Sequence, residues 1–195
     1  MFKYILFMLL STGCAAQLTI SEEDSNAKAE EIDNSWITWD TCSSKPGDHP
    51  CDFTLKDHNN EDWTLYNNYP TTMIIDFSTM WCGVCLNIAP HAQRLTDKYQ
   101  NEGHDFLWVT ILIENQYGQP PSQEDLKSWR DTYGMTTSPV LAGNRAMIDP
   151  TAEKGFPISS WPTLVIINKD MILKNGINGW NEAVITSWID QEFDI

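Results

Sequence analysis

Two of the five cysteines stand close enough together to act as a unit: Cys82-Gly83-Val84-Cys85. A two-residue spacer brings the second sulfur back within bonding range one helical turn after the first. The residues on either side say where that turn lies. Met73-Ile74-Ile75-Asp76-Phe77 is an apolar run of the kind found in a strand buried on both faces. After the pair, Val84, Ile88, Ala92, Leu95 and Tyr99 recur at steps of three or four, which is one face of a helix. The pair therefore falls where a buried strand ends and a helix begins. A helix N-terminus presents unsatisfied N–H groups and a partial positive charge, and both stabilise a thiolate. A free thiol ionises near pH ~8.5, and one held at such a mouth ionises lower. Cys82 is the candidate nucleophile, and Cys85 can resolve a mixed disulfide formed by it.

Two plainer readings compete. A CxxC is half of a zinc site, and Cys42, His49 and Cys51 could supply the other half. Strand, CxxC, helix is a poor geometry for a structural zinc knuckle, however. A purely structural bridge is the other reading, and it has no need of the head of a helix. Cys42 and Cys51 close a short loop of their own, which suits a structural disulfide, with an accessory redox pair or free thiols as alternatives. The four histidines (His49, His58, His91, His104) show no ligand spacing and read as surface residues, so no metal is expected. Asp76 is the exception in its apolar strand. As a buried carboxylate its pKa rises toward neutrality, and as a strand-edge acid reaching solvent it would not shift.

The elements that must position these groups alternate along the chain. Cys51–Leu55 and Trp63–Tyr66 read as two short strands closing a hairpin across Asp57-His58-Asn59-Asn60. Phe106–Ile113 is a strand rich in β-favouring residues. A helix is predicted from Ser122, as N-cap, to about Tyr133, with Glu124 and Asp125 in its first turn. Thr163–Ile167 and Met171–Leu173 form a hairpin across Asn168-Lys169-Asp170. Val184, Ile185, Trp188, Ile189 and Phe193 then mark one side of a terminal helix. Such alternation indicates an α/β fold with a mixed central sheet flanked by helices.

At 195 residues, with nine tryptophans and 42% apolar residues, the chain can bury one good core. Its net charge of −15 repels phosphate backbones and anionic headgroups, which argues against nucleic-acid partners and polybasic membrane binding. The beginning reads as an export signal: Met1-Phe2-Lys3, then a brief apolar run from Tyr4 to Leu10, then Ser11-Thr12-Gly13-Cys14. Leu10 to Cys14 is similar to a bacterial lipobox, although Ser11 stands where that pattern prefers an aliphatic residue. Lipidation of Cys14 is the expected route, and simple cleavage near Ala16 is the alternative. Residues 1–13 are thus expected as a signal peptide, 14–40 as an acidic tether and 41–195 as the folded domain. Trp36 and Trp39 announce that domain.

The run from Asp76 to Pro90, with Trp81-Cys82-Gly83-Val84-Cys85 at its centre, closely resembles the thioredoxin active-site segment. Trp161-Pro162-Thr163 looks like the same family's cis-proline segment. The extension from Cys51 to Leu65 and the long stretch from Ile113 to Trp161 are most similar to the TlpA-type, membrane-associated branch. The resemblance implies a thioredoxin fold with an N-terminal β extension and a helical insertion before the cis-Pro strand. It implies a thiol–disulfide oxidoreductase in which Asp76 relays the proton of Cys85 and Pro90 bends the helix. It places Pro162 against the cysteines, frees the Trp161 backbone to pair with an extended substrate, and makes Trp81 a shoulder of the docking surface. No cofactor is implied beyond the two sulfurs. The implied partners are cysteine-containing proteins and an upstream thiol–disulfide electron donor, met at the periplasmic face of a bacterial membrane. Gly83-Val84 lacks both the proline usual in reductases and the histidine frequent in strong oxidants, which points to a mildly reducing pair. The rivals are a peroxiredoxin-like peroxidase, for which Thr79 fits and Ile75 does not, and a non-enzymatic metal carrier or binding module.

Overall fold

The computed structural model describes residues 34–149, 151 and 155–195. The expected signal peptide, most of the acidic tether and Cys14 lie outside the described residues. Within them a short hairpin, β1 (Thr54–Lys56) and β2 (Asp62–Thr64), precedes a five-stranded mixed sheet. The sheet consists of β3 (Thr72–Thr79), β4 (Phe106–Glu114), β5 (Val140–Ala142), β6 (Thr163–Ile167) and β7 (Leu173–Asn178), in the order β5-β4-β3-β6-β7. Helices α1 (Gly83–Asn101), α2 (Gln123–Tyr133) and α3 (Glu182–Glu192) complete the layers. This is the α/β architecture expected from the alternation of elements.

The central strand β3 runs parallel to β4 and antiparallel to β6, and all eight of its residues are buried. Side chains alternate along it with a period of two. Ile74 faces the cluster built on Ile88, Ala92, Leu95, Trp108, Ile185 and Ile189, which is the sheet's contact with α1 and α3. Met73, Ile75 and Phe77 face the other cluster, with Leu65, Val109, Ile111 and Phe156. Asp76 shares the parity of Ile74 and so lies on the α1 side. That placement decides what the carboxylate can do.

The N-terminal segment meets each edge strand of the sheet at one point. At β5 the hairpin corner makes a bridge from Asp57 to Leu141, and the Val140 N–H donates to His58 Nδ1 at 3.4 Å. His58 is therefore a buried residue, not the surface residue its isolated position suggests, and burial lowers its pKa against the pull of Asp57. At β7 the Gly47 N–H donates to the Leu173 carbonyl at 2.7 Å, and the Leu173 N–H donates to that of Asp48 at 3.0 Å. A Cys42–Cys51 disulfide, with Cα atoms 4.8 Å apart, closes this segment. Leu173 pairs with Ile167, which pairs with Met73 at the start of β3, so this bridge sits at the opposite end of the sheet from Cys82. Nearby, Trp36 stacks on Tyr69 with ring centroids 4.1 Å apart, and Trp39 stacks on His49 at 3.4 Å.

A bridge over so short a loop stabilises by constraining the unfolded chain, about 2–3 kcal/mol on the entropy model. Converting both Cys42 and Cys51 to serine is expected to lower the urea unfolding free energy by about that much and to leave thiol–disulfide exchange at Cys82 intact. Loss of exchange with stability preserved would instead mark the bridge as an accessory redox pair.

Several element boundaries differ from those the sequence pattern implies. The second hairpin strand ends at Thr64, and Leu65–Asn68 turn into a 3-10 helix that buries Leu65 and Tyr66. The β6–β7 turn runs through Asn168, Met171 and Ile172, so β7 starts at Leu173 and continues to Asn178. The short strand β5 has no counterpart in the sequence reading.

Candidate thiol–disulfide site

Strand β3 delivers the site. Past Thr79 the chain turns through Met80 and Trp81, and the Met80 N–H donates to the Glu114 carbonyl at 2.9 Å. Cys82 is the N-cap of α1, and its Sγ accepts the Cys85 N–H at 3.2 Å. The sulfur thus occupies the place where a helix leaves N–H groups without partners. No acidic residue stands in the first turn of α1 to oppose the helix dipole. Cys82 and Cys85 are joined as a disulfide, with Cα atoms 5.2 Å apart. The two residues are unequal: Cys82 is 7% exposed and Cys85 is fully buried.

Around Cys82 the surface is apolar. Trp81, Val84 and Leu86 are all exposed, a collar of large hydrophobic side chains of the kind that marks a contact surface. The Trp161–Pro162 peptide bond is cis. Thr163, directly after it, pairs with Phe77, so Pro162 lies at the same end of the sheet as the cysteines. Trp161 packs against the cluster that contains both of them. Pro90 lies inside α1 and removes the donor that the Leu86 carbonyl would otherwise receive.

On the α1 side of the sheet, Asp76 is almost wholly buried. The Ser78 hydroxyl donates to its Oδ1 at 2.6 Å and the Thr110 hydroxyl to its Oδ2 at 3.4 Å. Burial pushes its pKa up to about 7, and the two hydroxyls pull the other way. The Trp108 indole adds a weak pull in the same sense, although it forms no well-aligned hydrogen bond. A carboxyl that titrates near neutrality, on the cysteine side of the sheet, can take and return a proton at working pH.

The model of the AhpC/TSA family matches residues 46–175, from the disulfide loop through the CxxC and the cis-proline to the beginning of β7. The chain belongs to the AhpC/TSA family. Among relatives of this AhpC/TSA chain, a thioredoxin-like protein of Bacillus subtilis, YneN, is 21% identical over 145 residues, 72% of this chain and 78% of that one. Many solved structures share its fold, among them the following three. A putative protein disulfide isomerase from Bacteroides thetaiotaomicron has a TM-score of 0.59 at 20% identity, covering 75% of this chain and 87% of that one. An exposed lipoprotein thioredoxin of Streptococcus pneumoniae gives 0.56 at 21%, covering 72% and 99%. A putative thiol:disulfide interchange protein from Chlorobium tepidum gives 0.58 at 19%, covering 77% and 96%. The fold is that of thioredoxin.

Cys82, Cys85, Asp76, Trp81, Trp161 and Pro162, the residues singled out from sequence, lie at one end of the sheet of this family member, and Cys42 and Cys51 lie at the other. Among the described residues no cluster of three or more metal-ligating side chains exists, and Cys42, His49 and Cys51 do not approach the CxxC. Likewise no helix among them is long and apolar enough to cross a membrane. One residue escaped the sequence reading. Glu114 ends β4 beside Thr79, buried, and accepts the Trp81 indole N–H at 2.9 Å. The available signal was an acid closing an otherwise apolar strand, Phe106–Glu114.

Proposed function

We propose that this thioredoxin-like thiol–disulfide oxidoreductase reduces protein disulfides outside the cytoplasm, with Cys82 attacking and Cys85 resolving. The observation that carries the assignment of roles is the asymmetry of the pair: Cys82, the N-cap at the helix mouth, keeps some exposure and Cys85 has none. In the reduced protein the Cys82 thiolate attacks one sulfur of a substrate disulfide. A bond forms to that sulfur, and the other leaves as a thiolate that takes up a proton. Cys85 then gives its proton to Asp76 and attacks Cys82 Sγ. The mixed disulfide breaks, the second substrate sulfur departs as a thiolate that takes up the proton held by Asp76, and Cys82–Cys85 closes. Two electrons pass to the substrate, and an upstream dithiol must restore them. The apolar collar and the cis-Pro162 segment suit an extended polypeptide laid across the sulfurs.

The Val84 side chain has no group that could donate a hydrogen bond to the Cys82 thiolate, which favours the reducing direction. A second disulfide at Cys42–Cys51 fits an oxidising compartment. Attachment through Cys14 would hold the domain at the periplasmic face of a membrane. Equilibrating the protein with glutathione buffers tests the direction. A potential near about −270 mV, with rapid reduction of insulin, is the expected result. A value near about −120 mV would make the protein an oxidant instead. A peroxidase reading is favoured by one feature, the buried Thr79 hydroxyl, which has no hydrogen-bond partner and stands three residues before Cys82. Peroxide consumption far above that of free cysteine would transfer the assignment to it.

A further inference from the structure

Thiol–disulfide exchange as set out above makes no use of Glu114, yet this carboxylate is built into the site from three sides. Its side chain is 4% exposed. One oxygen accepts the Trp81 indole N–H at 2.9 Å, and the other is salt-bridged to the Arg145 guanidinium. Its backbone carbonyl holds Met80, two residues before the nucleophile. Arg145 is itself placed, since it opens the 3-10 turn Arg145–Ile148 that Asn144 caps through the Ala146 N–H. In that turn the Met147 carbonyl accepts the Phe156 N–H at 2.7 Å, on the way to Trp161 and Pro162. A neutral side chain could hold the indole equally well, and burying an anion costs more than burying an amide. What an anion adds is a field at the mouth of α1.

The charged and titratable groups around that mouth come from the elements packed there. Helix α2 contributes Tyr133, which lines a pocket with Met80 and Leu86, and Asp125, which accepts from the Asn115 side-chain amide next to Glu114. The first turn of α1 contributes none, and the nearest ionisable residue along that helix is His91. Strand β3 contributes Asp76, buried on the α1 side of the sheet. The cis-proline segment Ser159-Ser160-Trp161-Pro162 contributes none. Strand β4 contributes Glu114, with Arg145 as its counterion, and the Arg145 side chain is 71% exposed and so partly screened by solvent.

Resting on the oxidoreductase reading, we propose that Glu114 is a positioning residue that fixes Trp81 beside Cys82 and, through its charge and the opposing charge of Arg145, sets the redox poise of the Cys82–Cys85 pair. The carboxylate disfavours the Cys82 thiolate and thereby the reduced protein. Arg145 offsets part of this. Glu114 bonds the side chain of the residue next to Cys82, and at the effective dielectric of about 20 found near protein surfaces a unit charge even about 12 Å away is worth roughly a tenfold change in an equilibrium constant.

The test uses the full chain and its equilibrium with glutathione. Glu114→Gln is expected to shift that equilibrium about tenfold toward the dithiol, which is about 30 mV for a two-electron couple. Arg145→Gln, which leaves the anion without its counterion, is expected to shift it in the opposite direction, by roughly threefold because the arginine is exposed. Glu114→Asp keeps the charge and returns the equilibrium close to that of the unaltered protein. Shifts in the same direction for the Gln variants, or none for Glu114→Gln, would overturn the proposal and leave Glu114 a neutral peg for Trp81. If the unaltered protein neither equilibrates with glutathione through Cys82 and Cys85 nor reduces insulin, the oxidoreductase reading fails instead, so the two failures are distinguishable.

Discussion

Replacing Cys82 with serine is expected to reduce insulin reduction by at least about a thousandfold, to the rate of the buffer reductant alone. The reason is electronic rather than structural. A serine hydroxyl at this position still accepts the Cys85 N–H and is a good helix N-cap, so the fold persists. It cannot ionise near neutral pH, however, and only the ionised sulfur attacks a disulfide. Cys85→Ser is expected to behave differently. The first attack survives, the resolving thiol is gone, and the protein accumulates bound to its substrate through Cys82. Mass spectrometry under non-reducing conditions should find that adduct, and a reductant should release it. Alkylation of the reduced native protein sharpens the contrast, because Cys82 should react while Cys85, fully buried, should react only after denaturation. Equal labelling of both thiols in the native state, or undiminished turnover by Cys82→Ser, would end the assignment of roles.

How much of this was legible beforehand depended on how strongly each element speaks through its own residues. Strand β3 is apolar on both faces because it is the centre of the sheet, and α1 shows its buried stripe at steps of three and four. Both stand out, and the CxxC lies between them. Ser122 caps α2 through a reciprocal bond pair with Asp125, a local signal that sequence carries in full. By contrast β5 is three residues long, too short for any period, and it becomes a strand only because β4 and the hairpin corner supply its partners. Strand β7 is mostly exposed, so Lys174 to Asn178 carry the polar character of a loop while making strand bonds to β6. His58 was misread for the same reason: its burial is produced by Val140, which lies far from it along the chain. Glu114 belongs with these. An acid at the end of a strand is ordinary, and only the register of β3 against β4 brings it beside Trp81.

Asp76→Asn should make the protein both more stable and slower, and the two effects share a cause. In the folded protein the carboxyl titrates at about 7, against an ordinary value near 3.8. Between those two pH values the native state holds a proton that the unfolded chain has already released. Stability therefore falls as pH rises through that window, and the whole penalty is present above pH 7. Three units correspond to about 4 kcal/mol. Asparagine has the same shape and no charge to desolvate. Its amide can still meet Ser78 and Thr110, because hydroxyls accept as well as donate. Urea unfolding at pH 8 should thus favour Asp76→Asn by up to ~4 kcal/mol, and at pH 4 the two proteins should be nearly equal. The same change removes the group that receives the Cys85 proton. Release of substrate from the mixed disulfide should slow by ~100-fold, within the range that a positioned base contributes, and should lose its inflection near pH 7. A variant whose stability advantage is the same at pH 4 and pH 8 would show that Asp76 titrates at the ordinary carboxylate value and is too weak a base to take the Cys85 proton. One that is stabilised only at high pH, yet resolves at the original rate, would leave Asp76 a buried acid and send the search for the proton acceptor to bound water.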